Sequence, residues 1–148
     1  MDQFITDYSL SALFLLSFGA STLLPLGSEW LLALLIADGR SPGLVVAVAT
    51  AGNFLGACTT YLIGIWGADF VTAKLFRIGA EKSDRAQQIF RKWGVWSLFF
   101  SWLPVIGDPL CLVAGIFKTN PIIFSLLVLS GKALRYIFVA WVVSSALT

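Results

Sequence analysis

The sequence predicts an all-α membrane protein built from two inverted repeats, each a re-entrant helical hairpin followed by a transmembrane helix. Three observations carry this: the composition, two interrupted apolar segments, and a repeat at a fixed offset. Hydrophobic residues make up 58% of the chain and charged residues 12%, with a mean hydropathy of +0.88. A soluble domain carries about 25% charged residues. A chain of 148 residues also has too much surface for its volume to hide that apolar excess inside. Lipid is the solvent that fits, and one membrane-embedded domain spanning 1–148 is expected.

Four apolar stretches follow one another. Gly43–Trp66 and Ile122–Leu147 are unbroken and exceed the roughly 20 residues that cross a hydrocarbon core. Tyr8–Ala37 is interrupted at Pro25-Leu26-Gly27, and Trp93–Phe117 from Pro104 through Gly107 to Pro109. Proline inside a helix removes a backbone bond and clashes with the preceding turn. Backbone groups freed in lipid must be satisfied by protein or trapped water. Pro25, Gly27, Pro104, Gly107 and Pro109 are therefore expected at hairpin tips buried in protein.

The halves superpose at an offset of 79 residues without a gap: Pro25 on Pro104, Glu29 on Asp108, Pro42 on Pro121, Gly52 on Gly131 and Asn53 on Lys132. Repeat 1 covers about 4–66 and repeat 2 about 83–147. Lengths favour hairpins that dip and return. Leu10 to Leu24 gives roughly 22 Å of helix, and Ser28 to Ala37 roughly 15 Å, about half the hydrocarbon thickness. One full crossing per half makes the second copy inverted, with both termini outside.

The joining segment 67–92 carries Lys74, Arg77, Lys82, Arg85, Arg91 and Lys92, which places it in the cytoplasm by the positive-inside rule. Within it Ser83-Asp84 resembles a helix N-cap with an acid in the first turn. The acidic stretch before residue 8 does not suit a cleaved signal peptide. Net charge is only +2, so no nucleic acid partner is expected. Several of the six tryptophans stand at segment ends, as interfacial anchors do.

Glu29, Asp108, Lys132 and Arg135 lie deep in apolar sequence, where each costs about 2.5–3.5 kcal/mol to insert. Such residues face a cavity or one another. Lys132 and Arg135 share a helix face, and Asn53 stands at the depth matching Lys132. Glu29 and Asp108 each open a half-helix, where free N–H groups favour an anion. One reading makes these residues a site for an anionic headgroup or small anion, with protons as a coupling ion. The other makes Glu29–Arg135 and Asp108–Lys132 structural ion pairs in a membrane chaperone or scaffold. Tyr61 and Tyr136 are expected in core packing, with lining of the cavity as the other reading. Gly52 and Gly56 have the spacing that lets helices approach closely.

The chain has no histidine, and Cys58 and Cys111 sit in apolar runs as small buried hydrophobes. With no metal spacing, nucleotide motif or nucleophile–base pair, no metal, cofactor or catalytic residue is expected, and the chain is not expected to be an enzyme.

The residues Pro25 with Glu29, Gly52-Asn53 with Gly56, Tyr61, Gly64, the run Ser101 to Asp108, Leu110-Cys111-Leu112 with Gly115, and Gly131 to Tyr136 resemble the DedA superfamily. This family is also described as the VTT or SNARE-associated Golgi protein domain, and the likeness is to its YqaA-like branch, over roughly 13–140. The resemblance implies a multi-pass protein of the bacterial inner (cytoplasmic) membrane with two oppositely oriented re-entrant helices. It implies lipid translocation, a flippase-like activity with membrane lipids as partners, and a functional acid at Glu29. Family members carry arginines beside the second-hairpin proline. Here those places hold Ser101-Trp102 and Gly107-Asp108, and the nearest cations are Lys132 and Arg135.

Overall fold

A computed structural model describes residues 2–21, 28–76, 90–103 and 107–147. Helices α1 (Asp2–Ala20), α2 (Ser28–Ala37) and α3 (Pro42–Phe76) come first. A helical stretch over 90–102 follows, passing from a π turn through one α turn into a 3₁₀ turn. Helices α4 (Gly107–Ile116) and α5 (Pro121–Leu147) complete the chain. No strand occurs among the described residues. Two helical spans, Pro42–Phe70 and Pro121–Leu147, are long and apolar enough to cross a membrane.

The unbroken segments are helical for local reasons. Pro42 and Pro121 occupy first-turn positions, where a missing N–H costs no hydrogen bond. Before Pro121, Asn120 Oδ1 accepts from the Ile122 N–H at 2.9 Å, capping α5. Helix α3 continues through 67–76, where the sequence suggested the start of a loop. A helix satisfies its own backbone groups, and Gly67 alone interrupts otherwise compatible residues there. Residues 77–89, with the Ser83-Asp84 cap, lie outside the described residues.

The chain divides into two compact units, one formed by Met1–Ala57 with Lys132–Thr148 and the other by Cys58–Gly131. In the first, α1 packs on α3 across two glycines. A Cβ on Gly52 would fall 3.2 Å from Ser17 Cβ, and one on Gly56 would fall 2.6 Å from the Phe18 carbonyl oxygen. The Gly52/Gly56 spacing therefore serves a close helix approach, as expected. Leu13, Leu32, Leu35, Ile36, Val45, Ala49, Tyr136 and Ala140 form the core beneath it.

In the second unit, α3 residues 58–76 meet α4 at another glycine crossing. A Cβ on Gly64 would fall 2.9 Å from the Gly115 Cα. Tyr61 stacks on Phe124 with ring centroids 4.3 Å apart, and its hydroxyl donates to the Thr119 carbonyl. Gly107 lies so close to Ser101 that a side chain there would strike its backbone. Large apolar side chains stand outward in both units, with Trp30 76% and Trp66 77% exposed. That pattern suits a protein solvated by lipid.

The turns after α2 and α4 match bond for bond at the 79-residue offset. Asp38 N–H donates to the Leu34 carbonyl, as Phe117 does to Val113. Gly39 donates to Ile36, as Lys118 does to Gly115. Arg40 donates to Leu35, as Thr119 does to Ala114. Gly39 and Lys118 both have positive φ, 85° and 49°. Helices α2 and α4 are ten residues each and begin 79 positions apart.

Candidate charged site

Four of the five ionisable or polar residues singled out from the sequence converge in the first unit. Helix α2 opens at Ser28, so Glu29 lies in its first turn. Helix α5 carries Lys132, Arg135 and Tyr136 at spacings of three and four, which put them on one face. Helix α3 brings Asn53 to the same place, and the turn after α1 brings Ser21.

Arg135 donates a charge-assisted hydrogen bond to Glu29 Oε1. The two side chains keep 17% and 24% exposure respectively, so the pair sits at the edge of the buried region. Lys132 is far deeper, at 3% exposure. Its ammonium donates to Asn53 Oδ1 and, at 3.0 Å, to Ser21 Oγ. Asn53 Nδ2 donates to the Tyr136 hydroxyl at 2.9 Å. That hydroxyl lies 2.9 Å from Ser28 Oγ, and Ser28 Oγ donates to Glu29 Oε2 across a long 3.5 Å. The cluster is thus one connected path from Lys132 through Asn53, Tyr136 and Ser28 to Glu29, closed on the far side by Arg135.

The chemistry fixes the polarity of this path. An ammonium has donors only, and an ionised carboxylate has acceptors only. Lys132 therefore holds the oxygen of Asn53, which turns the Asn53 amide nitrogen toward Tyr136. With Ser28 donating to Glu29, the Tyr136 proton is left to point at Ser28. Each buried polar atom on the path gains a partner, as low-dielectric surroundings demand.

Asp108 lies in the second unit, half-buried in the first turn of α4. Gly107 and Pro109 open that same helix, and Pro109 takes a first-turn position where no backbone donor is required. Pro25, Gly27 and Pro104 lie outside the described residues. Tyr61 is a packing residue, stacked and buried.

Three residues of the cluster had no signal strong enough to single them out: Ser21, Ser28 and the hydroxyl function of Tyr136. Serine is common in membrane helices, and Tyr136 reads equally well as core. Both descriptions hold for Tyr136, which is fully buried within the apolar core and bonded through its oxygen. Its position one turn after Lys132 was the available clue.

A helical membrane protein with opposite charges gathered between a short helix and a long apolar span is the class that this fold and site define. Within that class, residues 24–145 match the VTT domain model, and the chain belongs to that family, the DedA superfamily. It is similar to the inner membrane protein YqaA of Escherichia coli (strain K12), with 40% identity over 135 residues covering 89% of each chain. An uncharacterized protein of Haemophilus influenzae is 34% identical over 137 residues, covering 87% of this chain and 83% of the relative. No solved structure gives a significant match. With its two apolar spans, the chain is a multi-pass inner membrane protein of the YqaA-like branch.

Proposed function

We propose that the protein is a transporter or flippase-like carrier that moves an anionic lipid headgroup or small anion through this charged site. The observation that carries the reading is the placement of Lys132 and Arg135 on one face of a membrane span, held by Asn53 and Glu29. Two cations at such depth are expensive to keep in a membrane, and a passing anion gives them a use. Glu29 competes with that anion for Arg135, and a proton on Glu29 releases the guanidinium. Asp108 is assigned a second proton-relay position, and Asn53 a neutral hydrogen bond. No chemical transformation of the cargo is assigned.

The proposed architecture is an inverted repeat with two re-entrant hairpins, both termini outside and the 67–92 region cytoplasmic. Its support is the matched turns and the ten-residue length of α2 and α4, roughly 15 Å of helix. A second support is that Asn53 and Lys132, equivalent by the repeat, bond to each other. Copies related by a two-fold axis bring equivalent residues together only at that axis, and inverted-repeat transporters place their sites there.

The test is reconstitution of the full chain in proteoliposomes. Flip of a headgroup-labelled anionic lipid and uptake of inorganic phosphate are measured separately. Activity in either assay that is lost on Arg135→Glu supports the site, and transport unchanged by that substitution overturns it. The Glu29–Arg135 pair itself also favours a second reading, a non-transporting chaperone or scaffold whose charges are structural. That reading expects full function from the swapped pair Glu29→Arg with Arg135→Glu, which a transport site does not tolerate.

A further inference from the structure

We propose that Tyr136 and Ser28 are positioning residues that tie the protonation state of Glu29 to the grip of Asn53 on Lys132. The path between the two ends has four hydrogen bonds and passes through Asn53, Tyr136 and Ser28. In the arrangement described, every bond points from the ammonium toward the carboxylate. A hydroxyl has one proton, so the direction at each link dictates the direction at the next.

A proton taken up on Glu29 Oε2 converts that oxygen from acceptor to donor. It then donates to Ser28 Oγ, and the Ser28 proton turns to Tyr136. The Tyr136 hydroxyl now accepts from Ser28 as well as from Asn53, and its own proton has lost its acceptor. An orphaned buried donor is costly. The amide of Asn53 removes the orphan by rotating half a turn, which presents Oδ1 to Tyr136. The same rotation turns Nδ2, a donor, toward the Lys132 ammonium, also a donor. The Asn53–Lys132 bond is lost, and Ser21 remains on the ammonium. No covalent bond changes except the O–H formed on Glu29. Among the described residues, Glu29 meets the ionisable groups Arg135 directly and Tyr136 through Ser28, both from α5, while α3 contributes the neutral Asn53 to the path.

One proton at Glu29 therefore loosens two cations at once, Arg135 by direct loss of its carboxylate and Lys132 through the relay. Resting on the transport reading, this makes the anion site open as a unit. The relay itself stands on geometry alone.

Glu29→Gln fixes the protonated pattern. Arg135 has donors only, so the glutamine oxygen faces it and the glutamine nitrogen donates to Ser28. The full chain in lipid nanodiscs is examined by infrared spectroscopy, with the Tyr136 ring C–O stretch assigned by its loss in Tyr136→Phe. The expected result is a shift of that band in Glu29→Gln that vanishes when Ser28→Ala is added. A band that does not move, or moves equally without Ser28, overturns the relay. Where Glu29→Gln does not fold, an acid step below the ordinary carboxylate range on the unsubstituted chain replaces it, with the same two outcomes.

Melting supplies the second arm. With Lys132→Met, Asn53 is released to rotate and accept the Tyr136 proton. The double variant Glu29→Gln with Lys132→Met should melt higher than the sum of the single shifts predicts, and this excess should disappear in Tyr136→Phe. Strict additivity overturns the Asn53 step. A band shift without transport leaves the relay standing and removes the transport reading; transport without a band shift does the reverse.

Discussion

Lys132 donates a hydrogen bond to Asn53, and the two residues stand 79 positions apart, the offset at which the turns after α2 and α4 match. The contact joins a cation on α5 to a neutral amide on α3. The ammonium offers only donors and the amide offers both kinds of group, and this difference supplies polarity to the bond path that leads to Glu29.

The Glu29–Arg135 pair should show strong coupling. Arg135→Met leaves a carboxylate without its partner and should cost about 2 kcal/mol, below the figure for fully buried pairs because both side chains keep some exposure. Glu29→Gln with Arg135→Met together should cost less than Arg135→Met alone. Thermal unfolding in detergent of the two single variants and the double variant measures this, and additive losses would show the pair to be uncoupled.

Gly56→Val should destabilise the first unit by about 1–3 kcal/mol, the range for overpacking, because Phe18 and Ser21 already occupy the space. Gly67→Ala is the control. Nothing lies within 4 Å of a Cβ at Gly67, and alanine is the better helix former, so it should match or exceed the unsubstituted chain in melting temperature.

Lys118 is an L-residue in the left-handed region, at φ 49°. That conformation costs about 1–2 kcal/mol, while its ion pair with Asp69, 3.8 Å away and well exposed, contributes little. Lys118→Gly, which copies Gly39 in the equivalent turn, should raise stability by about 0.5 kcal/mol after the entropy cost of glycine. An unchanged or lowered melting temperature counts against the account.

Tyr61→Phe keeps the stack on Phe124 and removes the hydroxyl that donates to Thr119. The expected loss is about 1 kcal/mol. Tyr61→Ala, which removes the ring as well, should lose about 3–5 kcal/mol by analogy with other buried aromatics. Equal losses in the two variants would mean that the ring carries none of the stability.

Much of the frame is legible from residue order alone. The 79-residue offset, the short helix from Ser28 to Ala37 and the two continuous spans follow from where Pro, Gly and charges interrupt apolar runs. Backbone hydrogen bonding in lipid is local, so local sequence states it. The end of α3 is harder: Asp69 and Lys74 suggest water, yet a helix satisfies itself in water as well as in lipid, and charge alone does not stop it.

The site divides in the same way. The sequence by itself singled out Glu29, Lys132 and Arg135, because an ionisable residue inside an apolar run stands out wherever the chain goes; that Lys132 is buried while Glu29 and Arg135 keep partial exposure came from the packing. Only the tertiary structure decided their partners. Arg135 takes Glu29 from a segment 106 residues away, Lys132 takes Asn53 and Ser21, and Tyr136 joins the two ends. Serine and tyrosine hydroxyls carry no charge to betray them, and a hydrogen bond depends on fractions of an ångström and on direction. Those are set by the helix approach at Gly52 and Gly56, a property of packed surfaces rather than of residue order.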